Sequence, residues 1–105
     1  MIKIQVTYHS HSFVNLISSG HAKFAEEGKD IVCAAVSAIL QGGVQALKDN
    51  ENSYSLTMKK GYLELKRIAS NMSEHDEIVI ETILTQLESI AQVSNGTVQL
   101  ERKQK

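Results

Sequence analysis

The chain has 105 residues, 42% apolar with three Tyr, two Phe and no Trp, enough for one domain with a single aliphatic core and too few for two. Eleven Lys and Arg against twelve Asp and Glu leave a formal net charge of −1, which argues against nonspecific attraction to nucleic acid or to an anionic membrane. No apolar run has the length of a membrane span and no signal-peptide core opens the chain, so a cytoplasmic protein is expected. Its one cysteine allows no internal disulfide and, lacking a neighbouring Cys or His pair, makes a poor zinc site, so no metal or cofactor is implied.

Ile2, Ile4, Val6 and Tyr8 alternate with Lys3, Gln5, Thr7 and His9, the period-two pattern of a half-buried strand. His9-Ser10-His11-Ser12 reads as a turn, and a second strand from Phe13 to Ser18 runs up to Gly20-His21. The charged segment Lys23 to Lys29 has no clear period and reads as a movable loop. From Ile31 to about Lys48 the spacing of Val32, Ala35, Val36, Ile39, Leu40, Val44 and Leu47 predicts a helix with Asp30 as its N-cap. Gly42-Gly43 would each cost about 1 kcal/mol against alanine there, so close packing is the expected reason for them.

Tyr54-Leu56-Met58 and Leu63-Leu65 alternate on either side of Lys60-Gly61 and predict a hairpin. Ser73 then caps a second helix, with Asp76 as a capping-box-like partner and a stripe of Ile80, Ile83, Leu84, Leu87, Ile90 and Ala91. Asn95-Gly96 ends that helix, and Val98 and Leu100 form a last short strand ahead of a basic, solvated tail, Arg102-Lys103-Gln104-Lys105. The order ββαββαβ implies an α+β fold, residues 1–105 forming one domain: a largely antiparallel sheet with two amphipathic helices on one face. The other face has few large apolar side chains, with Tyr8, Tyr54 and Tyr62 as candidates to cover part of it.

Chemistry concentrates at Cys33. As the third residue of its helix it would lie among backbone N–H groups that have no intrahelical acceptor, at the positive end of the helix dipole, where a thiolate is favoured. His21 lies twelve residues earlier, and the intervening loop is long enough to fold back and bring an imidazole to the sulfur as general base and then general acid. A lone Cys before Ala34-Ala35 equally suits a small buried hydrophobe. Three roles therefore stay open on the residues alone: a thiol enzyme, a thiol redox sensor, or a non-catalytic binding protein.

Gly20-His21-Ala22 followed by Gly28-Lys29-Asp30-Ile31-Val32-Cys33-Ala34-Ala35-Val36-Ser37 resembles the signature of the ribosomal-processing cysteine proteases called Prp. The element order and length agree across nearly the whole chain. The resemblance implies a bacterial endopeptidase, usually a homodimer, that removes a short N-terminal extension from a large-subunit ribosomal protein precursor. It implies an apolar groove near Cys33, Cys33 as nucleophile and His21 as acid/base. Ser37, one helical turn beyond Cys33, would orient His21 or the substrate, or be an ordinary polar helix residue. Asp30 would orient the imidazole or cap the helix, and Gly20 would act as a hinge. The other rival to a protease is a ribosome-associated binding protein. No direct nucleic-acid binding and no membrane partner are expected.

Overall fold

The computed structural model describes residues 1–20, 30–49 and 51–105, with Asp30 described in its backbone only. The elements are β1 (Ile2–His9), β2 (Ser12–Gly20), α1 (Asp30–Ala46), β3 (Tyr54–Lys59), β4 (Tyr62–Arg67), α2 (Glu74–Val93) and β5 (Val98–Gln104). This is the predicted ββαββαβ order. The strands form one sheet in the order β3-β4-β2-β1-β5. Three pairings are antiparallel and one, β1 with β5, is parallel, because α2 carries the chain from one side of the sheet back to the other.

Alternation sets the two faces. Ile2, Ile4 and Val6 of β1, Leu16 of β2, Leu63 and Leu65 of β4 and Tyr54 of β3 turn to the helices and are buried with Val36, Leu40, Val44, Ile83, Leu84 and Leu87. Phe13 and Leu16 are three residues apart yet both are in the core, because a bulge after Thr7 pairs Tyr8 with Phe13 and inserts Val14 as the extra residue. Tyr8 and Tyr54 belong to the helix-covered side, so only Tyr62 of the three tyrosines can help to cover the open face. Buried Tyr54 is the clearest departure from that expectation: its position in register with Arg67 puts it in phase with Leu65 and Leu63.

The two glycines of α1 have different surroundings. A Cβ on Gly43 would collide with the Ile83 side chain of α2, so a glycine is needed where the helices come closest, while a Cβ on Gly42 would meet nothing. Packing therefore accounts for Gly43 and leaves Gly42 unexplained. The cap on α2 forms as expected, the Asp76 N–H donating to Ser73 Oγ at 3.1 Å.

The Asp76 carboxylate does not serve as a capping-box partner. Although buried, it accepts from the Tyr54 hydroxyl (2.8 Å) and the Lys48 N–H (3.0 Å), with His75 Nδ1 at 2.9 Å. It joins β3, the end of α1 and the start of α2. Burial alone would raise its pKa, but these donors outweigh burial and hold the carboxyl below its usual range. Burial, followed by the bond to Asp76, pushes the Tyr54 phenol well above its usual range.

At the opposite end of the sheet the β3–β4 turn, the end of β2 and the start of β1 meet. The Gly20 N–H donates to the Gly61 carbonyl at 2.9 Å, and Ile2 is in register with Gly20. Helix α1 begins over this corner.

Candidate active site

Gly20 closes β2 at φ 101°, and a Cβ there would collide with the carbonyl oxygen of Met1. Both the left-handed backbone and the crowding call for glycine. It is the residue immediately before His21, which together with residues 22–29 lies outside the described residues. The expected approach of His21 to Cys33, and the movable loop between them, lie there too.

Cys33 lies near the start of α1, whose described residues begin at Asp30. Residue 29 lies outside the described residues, and with it the expected capping geometry of Asp30. The Asp30 side chain, with any contact to the imidazole, is outside the described residues. Cys33 is a half-buried thiol, packed against the edge of the core while opening to an adjoining cavity. A sulfur placed so is neither locked in apolar packing nor lost in bulk water.

That cavity has a volume of about 230 Å³ and brings together residues of α1, of the β1–β2 pair, Ile2 among them, and of the β3–β4 hairpin. Cys33, Ser37 and Gln41 come from α1, Gly20 from the end of β2, and Met58, Lys59 and Tyr62 from the β3–β4 hairpin. Ser37 thus shares the cavity with Cys33, as their spacing requires of residues one turn apart. Val36, Leu40 and Leu63 supply apolar wall, consistent with the groove implied by the resemblance. Ser18, Ser37, Gln41 and Lys59 add polar residues to that apolar wall, so the lining is mixed.

Two features were missed in the sequence. The Lys59 to Tyr62 turn forms one wall of the site, although nothing local marks a hairpin tip as a partner of a helix distant in sequence. Gln41, and Gln45 beyond it, continue the four-residue spacing that starts at Cys33 and Ser37. Gln45 lines a second cleft of about 500 Å³ with Val44, Tyr54, Leu56 and Leu65. That spacing was the available signal.

Among the described residues no group of three or more His, Cys, Asp or Glu is arranged to hold a metal ion, and no helix is long and apolar enough to cross a membrane. A family model described as "Cysteine protease Prp" matches residues 1–99. The chain is 37% identical over 91 residues to the "Ribosomal processing cysteine protease Prp" of Mycoplasma genitalium, covering 87% of this chain and 85% of the relative. Against the protein of the same name from Staphylococcus aureus it is 30% identical over 107 residues, covering 98% and 100%. Among solved structures it is similar, at 26% identity and a TM-score of 0.84, to the S. aureus "Essential Ribosomal Processing Protease Prp" in complex with a covalently linked product peptide, covering 97% of this chain and 99% of that one.

Proposed function

Because the chain belongs to the Cysteine protease Prp family, we propose that it removes a short N-terminal extension from a bacterial large-subunit ribosomal protein precursor, with Cys33 as nucleophile and His21 as acid and base. The protein is a cysteine protease; the substrate and the roles of these residues are this proposal. The observation that carries it is a cavity lined by both Cys33 and Gly20, the sequence neighbour of His21. Related S. aureus structures hold a substrate peptide and a covalently linked product peptide, which supports a peptide as substrate.

The reaction is acyl transfer. The Cys33 thiolate attacks the scissile carbonyl, the imidazolium of His21 gives its proton to the leaving amine, and a thioester remains on the sulfur. His21 then takes a proton from water, whose oxygen attacks the thioester and releases the acyl product and the thiolate. First-turn amides of α1 have no intrahelical acceptor and are donors available to the developing oxyanion. Ser37, one turn along the same wall, orients either the imidazole or the peptide, and Gly20 supplies the hinge for the segment carrying His21. Asp30 orients the imidazole. The protein acts in the cytoplasm as a homodimer, where precursors of the ribosome are available.

Incubating a purified ribosomal protein precursor with wild type, Cys33→Ala and His21→Ala, then weighing the products, tests this. Wild type is expected to release the extension while both variants leave the precursor whole. Processing by Cys33→Ala at the wild-type rate overturns the mechanism, and sedimentation at micromolar concentration checks the dimer.

A further inference from the structure

We infer that β3 is the docking edge for the peptide to be cut, which runs beside it as an added strand through the cleft between β3 and α1 and delivers its scissile bond to Cys33. This rests on the protease reading above.

The edge is open in its backbone. Lys59 pairs with Tyr62 across the two-residue turn Lys60-Gly61, and the residues flanking such a turn bond to each other. Pairing then alternates, so Lys59, Thr57 and Ser55 face β4 while Met58, Leu56 and Tyr54 present their N–H and C=O groups outward. Ser53 keeps the same phase, its carbonyl accepting from the Ile68 N–H at 2.8 Å. No strand lies beyond β3 among the described residues.

The same residues carry exposed apolar side chains. Leu56 is 43% and Met58 51% exposed, and both lie in register with core residues Leu65 and Leu63, on the helix-covered side. Edges are normally protected by charge. The other edge of this sheet follows that rule: β5 ends in exposed Glu101, Arg102 and Lys103, with Arg102 bonded to Glu88 of α2. An unprotected apolar edge with outward backbone groups fits an extended segment that adds main-chain hydrogen bonds and buries every second side chain.

The occupant follows from continuity with the site. Met58 lines the cavity holding Cys33, and Leu56 lines the next cleft along the same strand. Across from them Cys33, Ser37, Gln41 and Gln45 mark the α1 wall, and the amide side chains of the two glutamines can donate to and accept from a peptide backbone. Cys33 to Gln45 spans roughly 18 Å of helix, and β3 roughly 20 Å of strand. Both lengths fit about five residues of extended peptide.

The test uses the full chain labelled with 15N and a pentapeptide chloromethyl ketone with leucine at alternate positions, which alkylates Cys33 and holds the peptide in place. Amide exchange at Leu56 and Met58 is expected to slow by about tenfold or more on capture, and Leu56→Glu to raise KM for a peptide substrate by about tenfold with kcat little changed. Capture with exchange at both amides unchanged overturns the inference and leaves the protease standing. Failure of the ketone to label Cys33, with the precursor uncut by wild type, overturns both. Protection of these amides in the uncaptured protein that disappears on dilution gives the edge to a second copy and overturns the inference as well.

Discussion

The two ends of α1 treat their polar groups in opposite ways. At the C-terminal end the Lys48 N–H, the Tyr54 hydroxyl and His75 converge on the buried Asp76 carboxylate, and no buried side-chain polar atom among the described residues is left without a partner. At the N-terminal end a half-buried thiol borders an open cavity, beside an edge strand with two exposed apolar side chains. The first arrangement locks three elements together. The second leaves chemistry accessible, and the difference teaches that rigidity at one end of a helix lets the other end remain open.

Substitutions at each end sharpen the contrast, and the largest expected effect is on activity. Cys33→Ala is expected to lower processing by about a thousandfold or more while shifting stability by less than about 1 kcal/mol. Kinetics and urea titration on one preparation check both, and a large loss of stability would break the contrast by making Cys33 a core residue.

Asp76→Ala is expected to act the other way, removing about 3 kcal/mol of stability because the Tyr54 hydroxyl and Lys48 N–H lose their acceptor in a buried site. The pH dependence follows from the lowered pKa of Asp76. Its ionised form is favoured by folding, so the contribution is complete above about pH 4, the value for an unfolded aspartate, and is lost as the pH falls through the lower folded value. The stability gap between wild type and Asp76→Asn should therefore be flat above about pH 4 and shrink below it, as acid titrations of unfolding will show.

Between the two ends, Gly43→Val should cost about 2 kcal/mol by forcing α2 away at Ile83. Thermal unfolding measures this, and the same change at Gly42, where a Cβ meets nothing, gives the control for helix propensity. The smallest effect is expected at the β1–β2 turn, where Ser10 and His11 adopt φ 50° and 66°. Replacing the pair with Asn-Gly should raise stability by about 1 kcal/mol in the same measurement, with no effect on processing.

The element order, the helix-facing residues of β1 and the stripe of α2 were legible because each rests on local periodicity. Cys33 and Ser37 share a cavity because their four-residue spacing puts them on one helical face. The fate of Asp76 was not legible: its position three after Ser73 suggested a capping partner, whereas Tyr54 and Lys48 reach it from distant parts of the chain. Likewise, nothing in Tyr54-Leu56-Met58 told that β3 would be an edge, since an alternating strand reads the same wherever it pairs.

Local order and the signature around Cys33 were thus decided by the sequence itself, through helical and strand periods and through residues whose chemistry is their own. Tertiary structure alone decided that the β3–β4 turn joins Gly20 and Cys33 at one cavity, that β1 and β5 run parallel, and that one edge of the sheet is charged and the other apolar. Those outcomes depend on which distant surfaces meet, and burial rewards such meetings without leaving a mark at any single position.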